Sequence, residues 1–477
     1  MKKLEEIADE AMLERGFIPN FPEPIQAELE HLTEPAKPHD AIRDMRHLLW
    51  VSIDNEDSKD LDQITYAEKD RIYVAIADVD ALVKQRSAID KRAEHNTTSV
   101  YTPVKIFPML PLKLSNHLTS LNENTDRCAI VVEVAVDPDG KFDLQDVYHA
   151  WVRNHAQLNY PCVGAWLEQR ICKNPIPPIH GLKEQLHLQD LFAQKIQTYR
   201  SHQGALEFGV IQLQAVIVEG VPVSLEEQQI NRAHKLIENM MIAANVAATR
   251  FLKNRKLPTL RRVVKVPKRW DRIMQIAQDV GEKLPAQPDP KALRAFLLKQ
   301  QAQAPLQFPD LSLAMIKLLG RGEYVLGLPG KPSPGHFDLS EHEYCHATAP
   351  NRRFADLIMQ RLLKSALFQT EAPYSHKELA DLAAHCTQKE DDADKVERRL
   401  IKCAAAAVMA KSLGHTFQAM VTGSAPKGTW VRLMQPPVEG KLVKGFEGVD
   451  VGDFLKVKLI HVDVTKGHID FEAVHSS

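Results

Sequence analysis

Residues 51–63 read Val51-Ser-Ile-Asp54-Asn-Glu-Asp-Ser-Lys-Asp60-Leu-Asp62-Gln63. The apolar start of this segment predicts a buried strand that ends at Asp54, followed by a short loop that delivers Asp60 and Asp62. In an extended backbone, two residues at this spacing point to the same side. Three neighbouring carboxylates repel one another unless a cation neutralises them, and carboxylate oxygens suit Mg²⁺ or Mn²⁺. The segment is therefore either a metal site for phosphate chemistry or a solvated acidic turn.

The residues around this segment predict a sheet-rich domain that gives way to helices. Strands are predicted at residues 48–53, 64–66, 72–77 and 129–136, and helices at 234–252, 353–368 and 391–413. After residue 413, short strands return at 417–421, 430–433, 454–462 and 468–473, joined by glycine-containing turns. Roughly sixty residues of this kind predict a small OB-type barrel.

The first 45 residues have apolar side chains at helical spacing. The two runs are Leu4, Ile7, Ala8, Met12 and Leu13, and then Ile25, Leu29 and Leu32. A proline-containing turn at residues 19–22 separates them. This pattern predicts two short helices, which form either a small helix-turn-helix or a helical cap on the next domain.

The composition is that of an ordinary globular protein. The chain has 477 residues, 44% of them hydrophobic and 26% charged, which suggests about three domains and excludes collagenous, fibrous and disordered classes. It has no apolar run near the ~18 residues of a membrane span. Its first ten residues are rich in charged side chains and lack the apolar core of a secretory signal, so we expect no export. Six scattered cysteines without a Cys-x-x-Cys pair favour a reducing cytoplasm over a disulfide framework. Neither a membrane nor a protein partner is indicated.

The net charge is close to zero, with 60 Lys and Arg against 62 Asp and Glu. This balance alone argues against a polyanionic partner. Locally the picture differs, because residues 250–272 contain ten basic residues and one acidic residue, a net charge of +9. Such a run is either a solvated face or part of a nucleic-acid groove.

Several further short sequence motifs occur along the chain. They are Val74-Ala-Ile-Ala-Asp78-Val, Ser99-Val-Tyr101-Thr-Pro, Ala156-Gln-Leu-Asn-Tyr160, Gly204-Ala-Leu-Glu-Phe208, Ile237-Glu238-Asn-Met, and Ala349-Pro-Asn-Arg352-Arg353-Phe-Ala-Asp356-Leu. With the carboxylate segment, they resemble the ribonuclease II family of processive 3′ to 5′ exoribonucleases from about residue 16 to the C-terminus.

The resemblance implies an α+β fold in three parts. A short helical segment (1–45) stands where relatives usually carry two cold-shock domains, which we expect this chain to lack. An RNB-type catalytic domain (46–410) follows, with a mixed sheet, surrounding helices and a central channel for single-stranded RNA. The last part (411–477) is an all-β OB-fold RNA-binding domain of the ribosomal S-one type.

The resemblance also implies the catalytic residues. Asp54, Asp60 and Asp62 match the family's magnesium ligands, with Asp62 most critical for hydrolysis, and Arg352 matches the arginine that grips the scissile phosphate. The expected reaction is two-metal hydrolysis that releases nucleoside 5′-monophosphates. Gln63 departs from the family, which has a fourth carboxylate there. An amide oxygen still coordinates a cation but adds no charge, so we expect weaker magnesium binding and an altered metal requirement in which manganese is the alternative ion.

A second set of residues is implied to bind RNA. Tyr101 and Phe208 match aromatic residues that bracket the stacked 3′-terminal bases, and Tyr160 matches the ring that positions the last nucleotide. Glu238 matches an acid near the ribose of that nucleotide, and Glu397 is a fainter match to another.

Two hypotheses follow from these matches and departures. The first is an active exoribonuclease with an altered metal requirement. The second is a catalytically degenerate RNA-binding protein of the same fold, because Gln63 replaces a charged ligand and because Ala347, Ala349, Asn351 and Gln360 also differ from the usual residues. Retention of the three aspartates and of Arg352 favours the first hypothesis.

Overall fold

The computed structural model describes residues 3–39, 42–172, 175–209, 213–332, 334–449 and 453–474. The helices are Leu4–Glu14 (α1), Glu23–His31 (α2), Ala88–Asn96 (α3), Tyr160–Leu167 (α4), Leu182–Gln203 (α5), Arg232–Asn254 (α6), Trp270–Asp279 (α7), Pro290–Gln303 (α8), Phe308–Leu319 (α9), Phe354–Phe368 (α10) and His376–Met409 (α11). None of these helices is long and apolar enough to cross a membrane.

Within the described residues, twelve strands lie before the start of α11. They are Arg43–Asp44 (β1), Trp50–Asp54 (β2), Gln63–Glu68 (β3), Arg71–Ala77 (β4), Val100–Tyr101 (β5), Ile106–Phe107 (β6), Asp126–Val136 (β7), Phe142–Asn159 (β8), Leu213–Val218 (β9), Val221–Glu227 (β10), Thr259–Val263 (β11) and Glu323–Gly327 (β12). Six of them form the main sheet in the order β1-β8-β2-β3-β4-β7, and β7 also pairs with β8. β1 and β2 run parallel to β8 and the other pairs are antiparallel, so the sheet is mixed.

The buried helix α6 packs against β7 and β8 of this sheet. It begins at Asn231, whose side chain caps it by accepting hydrogen bonds from the backbone N–H groups of Ala233 and His234. Its middle is rich in alanine and buried, which lets neighbouring elements approach closely. The helix therefore forms the centre of the main apolar core.

The last five strands form a closed barrel. They are Thr416–Ala425 (β13), Gly428–Leu433 (β14), Glu439–Lys444 (β15), Phe454–Asp463 (β16) and His468–Ala473 (β17). Alternate residues such as Val431, Leu442 and Phe471 fill its interior. The predicted fold class is confirmed: a mixed sheet with helices, a C-terminal all-β barrel and short N-terminal helices.

The N-terminal helices form a cap rather than a separate helix-turn-helix. Ile7 and Met12 of α1 are fully buried in a cluster shared with α11, and Ile25 of α2 joins the main core. Leu13, expected on the apolar face of α1, is instead 62% exposed. At residue 13 the 3.6-residue period has moved the side chain beyond the stripe that faces α11.

The sequence placed the start of one helix too late and missed one strand of the barrel. α11 begins at His376, well before residue 391, because Ser375 caps it and Glu378 completes a capping box; the charged residues that follow hid the apolar period. Strand β15 was not predicted at all. Only two of its residues, Gly440 and Leu442, are buried, so its alternation is weak in sequence.

Candidate active site

The carboxylate segment lies where two parallel strands end. Asp54 is the last residue of β2 and pairs in register with Asn159, the last residue of β8. Tyr160 follows Asn159 directly, so Asp54 and Tyr160 lie at the same edge of the sheet. The loop that follows Asp54 is anchored by Ser120, whose hydroxyl accepts a hydrogen bond from the backbone N–H of Leu61 (2.9 Å) and donates one to the carbonyl of Lys59 (2.8 Å).

Asp62 is the most buried of the three aspartates, with 2% of its surface exposed. Its Oδ1 accepts a hydrogen bond from the backbone N–H of Asn351 (2.8 Å). Its Oδ2 lies 3.6 Å from Nε of Arg352 and has no hydrogen-bond partner. Burial holds the pKa of Asp62 well above its usual range, although the charge of Arg352 opposes this shift.

The other two aspartates are partly buried at the same site. Burial raises the pKa of Asp54 to about 7, with Arg352 opposing and Asp60 adding to the shift. Burial also raises the pKa of Asp60, whose Oδ2 accepts a hydrogen bond of 3.4 Å from the hydroxyl of Tyr101. All three carboxyls thus feel the charge of Arg352, and each is costly to ionise without a further cation.

These residues fit a hard divalent cation. The described residues contain no set of three Asp, Glu, His or Cys side chains already grouped around one point. However, Asp54 and Asp62 each keep one buried carboxylate oxygen that has no hydrogen-bond partner. Buried oxygens without partners are unfavourable unless a ligand satisfies them, and Mg²⁺ and Mn²⁺ prefer oxygen ligands of this type.

Gln63 is the first residue of β3 and is half-buried. Its backbone pairs with that of Ile76, and the carbonyl of Asp62 accepts a hydrogen bond from the N–H of Ala77 (2.9 Å), which extends the same ladder. Side chains alternate along a strand. The ladder therefore directs the side chains of Asp62 and Gln63 to opposite faces, and ligation by Gln63 stays a prediction.

Arg352 lies in a loop that is fixed by its backbone. The N–H of Ala349 donates to Oδ1 of Asp356 (2.8 Å), and the carbonyl of Arg352 accepts from the N–H of Ser99 (2.9 Å). The hydrogen bond from the N–H of Asn351 to Asp62 is a third such contact. Together they fix the backbone on both sides of Arg352. Its side chain is 41% exposed, so the guanidinium is free to meet a phosphate beside Asp62.

Two of the predicted aromatic residues border the aspartates. Tyr160 opens α4, and its pKa is raised by burial and then by the charge of Asp54. Its ring stacks on His234, with centroids 3.9 Å apart and an interplanar angle of 14°. Tyr101 is 40% exposed, and its backbone N–H donates to Oε1 of Glu397 (2.8 Å). The structure thus brings Tyr101, Tyr160 and Glu397 to the site.

Phe208 and Glu238 lie in different surroundings. Phe208 packs against the apolar cluster that includes Trp270 and Phe296. Glu238 is exposed on α6, and its carboxylate accepts a hydrogen bond from Lys235 (2.8 Å). Both residues lie where α5, α6 and residues 205–209 meet. Their expected contacts with RNA stay predictions.

The basic stretch at residues 250–272 is not a continuous positive groove. Lys253 and Arg250 pair with Glu343, and Arg262 pairs with Glu390. Other members are paired, stacked or buried: Lys265 pairs with Glu323, Arg255 stacks on Phe251, and Arg261 is 8% exposed. Distant acidic residues thus neutralise part of the run, and its role as a nucleic-acid footprint stays a prediction.

The sequence did not identify the residues that support the arginine loop. Asn245 of α6 accepts a hydrogen bond from the N–H of Ala347 (2.9 Å), and the side chains of Thr119 and Asn351 are in hydrogen-bond contact (2.6 Å). Gln360 of α10, by contrast, fixes the end of β4, since it accepts a hydrogen bond from the N–H of Asp80 and donates one to the carbonyl of Ala77. A polar residue inside an alanine-rich helix, as at Asn245, is the kind of signal that predicts such a role.

Comparison with known families agrees with this architecture. Residues 42–369 match the RNB domain family, and residues 415–474 match the RNase II-type exonuclease C-terminal S1 domain. The chain therefore belongs to the RNB family of proteins and ends in an S1 domain of the RNase II type.

Among curated proteins, the chain is 31% identical over 420 residues to ribonuclease R of Escherichia coli strain K12, which covers 83% of this chain and 50% of that protein. It is 28% identical over 501 residues to ribonuclease R of Vibrio parahaemolyticus, which covers 96% of this chain and 59% of that protein. The chain thus spans about half the length of the curated relatives it matches.

Two solved structures share the fold. The structure of Mycoplasma genitalium RNase R in complex with ribose methylated single-stranded RNA has a TM-score of 0.89 at 23% identity, covering 99% of this chain and 78% of that one. The structure of yeast Ssd1, a pseudonuclease, has a TM-score of 0.71 at 16% identity, covering 92% of this chain and 55% of that one. At these identities the likeness concerns the fold alone.

Proposed function

We propose that this chain is a 3′ to 5′ exoribonuclease that hydrolyses single-stranded RNA to nucleoside 5′-monophosphates. The observation that carries this proposal is the pair of buried, unpartnered carboxylate oxygens of Asp54 and Asp62 beside Arg352. A purely structural site has no need to bury two carboxylate oxygens that have no hydrogen-bond partner, because each costs free energy. Family membership and the relatives named ribonuclease R support the same activity.

In this proposal Asp54, Asp60 and Asp62 would hold the divalent cations, Mg²⁺ or Mn²⁺. Gln63 is the fourth candidate ligand, and its contribution is tested below because strand alternation directs its side chain to the face opposite that of Asp62. When bound, such cations lower the pKa of water and neutralise charge on a reacting phosphate. Arg352 binds the scissile phosphate and stabilises the charge that develops on it. Asn351 keeps Asp62 oriented through its backbone N–H, so the carboxylate does not need to reorganise when substrate arrives.

The aromatic and acidic residues bind the 3′ end of the strand. Tyr101 and Phe208 bracket the stacked bases, and Tyr160, held by the ring of His234, positions the last nucleotide. Such stacking contributes about 1–3 kcal/mol per base and tolerates any sequence. Glu238 and Glu397 contact ribose hydroxyls, which would favour RNA over DNA. We propose a cytoplasmic location, because the cysteines form no disulfide framework within the described residues.

The second candidate is a degenerate RNA-binding protein, and the observation that favours it is Gln63, a neutral residue next to Asp62. Yeast Ssd1 has the same fold and is named a pseudonuclease. The two candidates differ in whether a labelled strand becomes shorter. Both predict binding of single-stranded RNA.

The experiment that separates them follows a 5′-labelled single-stranded RNA with the purified chain in Mg²⁺ and in Mn²⁺. We expect stepwise shortening to a short end product. Asp62→Asn should slow cutting more than ~100-fold, since it removes a charged group at the metal site, while RNA binding is unchanged. Absence of shortening in either metal, with binding intact, would establish the degenerate protein instead.

A further inference from the structure

A cavity of about 460 Å³ lies on the C-terminal side of α6, and none of the three aspartates lines it. Its lining includes Lys253 at the end of α6, Arg261 of β11, the turn at residues 327–331, and Glu343. The other end of α6 is next to Tyr160, because the capping residue Asn231 donates a hydrogen bond to the carbonyl of Tyr160 (2.7 Å). Asn245, in the middle of α6, contacts the loop that carries Arg352, and Lys253 lies eight residues, about 12 Å, further along the helix. None of the candidate active-site residues lines this cavity, so the two sites are separate.

Arg261 is a buried cation that forms no ion pair within the described residues; it feels the charge of Glu343, but that carboxylate already pairs with Lys253 and Arg250. Arg261 is 8% exposed, and its Nε donates to the hydroxyl of Thr259 (3.2 Å). Within the described part of the chain, its two terminal nitrogens have no hydrogen bond and no ion pair, yet Arg261 lines the cavity. A guanidinium that has lost most of its water without gaining a carboxylate is unfavourable unless a ligand pairs with it.

Gly327 makes room for this guanidinium. A Cβ atom at residue 327 would lie 2.5 Å from Nε of Arg261 and 2.5 Å from the hydroxyl oxygen of Thr259. The backbone of Gly327 does not have a positive φ, so its conformation does not require glycine. A side chain at residue 327 would therefore clash with Arg261, and glycine leaves the space that its guanidinium occupies next to β12.

The charges around the cavity leave a positive excess. Glu343, the acid in the lining, is shared by Lys253 and Arg250, and Arg250 also pairs with Asp143. Lys331 sits at the end of a turn closed by its own N–H donating to the carbonyl of Leu328 (3.2 Å), and no described residue forms an ion pair with it. Arg261 and Lys331 are thus left to attract an anion.

We propose that this cavity is a binding site for a phosphate group, separate from the site of hydrolysis. The planar guanidinium of Arg261 offers paired N–H donors that match two phosphate oxygens, and Lys331 adds a mobile charge at the rim. The volume suits a ligand of mononucleotide size. The phosphate has two possible sources, a free nucleoside monophosphate or the backbone of a bound RNA strand.

The test is calorimetric titration of the full chain in EDTA, which prevents cutting, with 5′-AMP, inorganic phosphate and an oligoadenylate as separate ligands. Arg261→Gln should weaken binding of 5′-AMP about tenfold, whereas Arg269→Gln, an exposed arginine of the same basic stretch, should not. Lys331→Gln should weaken it roughly threefold. Thermal unfolding followed by circular dichroism checks that each variant is folded; if Arg261→Gln is not, the exposed Lys331→Gln decides.

The arms of the titration separate the two sources. Loss of 5′-AMP and phosphate binding in Arg261→Gln, with oligoadenylate binding unchanged, identifies a mononucleotide site, and weaker oligoadenylate binding identifies a contact with RNA backbone. No saturable binding of any ligand, or equal affinity in wild type and Lys331→Gln, overturns the proposal. The proposal is also overturned if Arg352→Gln abolishes binding of the ligand while Arg261→Gln leaves it unchanged. In that case the ligand occupies the candidate active site. Hydrolysis of RNA is measured separately, so neither result decides the other.

Discussion

Asp62 is the most confined acid of the candidate active site. One of its oxygens is used by the backbone of Asn351, and the other faces Arg352 without a hydrogen bond. The sequence predicted its importance from spacing and resemblance. It could not predict the degree of burial, because that depends on a loop almost three hundred residues later in the chain folding over the carboxylate.

Gln63 is the residue that most clearly departs from the family. If its amide oxygen is a metal ligand, Gln63→Asp adds a negative charge to the site and should lower the metal concentration for half-maximal activity by about tenfold. Activity is measured on single-stranded RNA across a series of Mg²⁺ and Mn²⁺ concentrations. Gln228→Asp, in an exposed loop, is the matched control. An unchanged metal requirement would mean that Gln63 points away from the ions, as strand alternation suggests.

At the scale of elements, distant segments meet in ways that local patterns do not encode. The predicted positions of β2, β4, β7 and α6 are close to those observed, because apolar periodicity is a local signal. The contact of α11 with β5 through Glu397 and Tyr101 joins residues separated by 296 positions. The ion pairs that neutralise the basic stretch are likewise long-range, and for this reason the sequence overstated its local charge.

Glu397 makes the stability of this contact depend on pH. Burial raises the pKa of Glu397 to about 7 from an ordinary value of 4.5. The folded protein therefore holds a proton that the unfolded chain has released, and the free energy of unfolding falls as pH rises between these two values. Glu397→Gln stays neutral and keeps an oxygen for the N–H of Tyr101, so it should remove this part of the pH dependence.

Urea unfolding of the metal-free protein at pH 5 and pH 8 measures the effect. The gain in stability of Glu397→Gln over wild type should be roughly 1–2 kcal/mol larger at pH 8 than at pH 5. Glu371→Gln, an exposed acid, should give the same difference from wild type at both values. If Glu397→Gln behaves like this control, Glu397 is ionised throughout the range and its burial has no energetic consequence.

At the scale of the whole molecule, the net charge of −2 is an average over opposed regions. The buried aspartates need cations, whereas exposed lysines of the barrel face solvent. Lys444 and Lys458 lie 3.7 and 3.9 Å from Glu472. Lys441 and Lys456 are exposed and form no ion pair with any residue in the described ranges. These two, like the exposed Lys427 in the turn between β13 and β14, are therefore available to phosphates.

If the barrel binds RNA, the salt dependence of binding reports these contacts. For a single strand, log affinity falls with log salt concentration with a slope near −0.7 for each phosphate contact. The double variant Lys441→Gln/Lys456→Gln should therefore reduce the magnitude of the slope by about 1.4, measured in the Asp62→Asn background to prevent cutting. The control pair Lys84→Gln/Lys183→Gln lies outside the barrel, and an equal reduction there would mean that the effect reflects total charge.

The central claim is that Asp54, Asp60, Asp62 and Arg352 hydrolyse RNA one nucleotide at a time from the 3′ end. The most direct measurement uses a single-stranded RNA whose last internucleotide phosphate is radioactive, with wild type and Asp62→Asn compared in the same metal. The account predicts that the first labelled product of wild type is a nucleoside 5′-monophosphate, and that the variant releases none over the same time. Label that first appears in a longer fragment, or that stays in the intact strand, would contradict it.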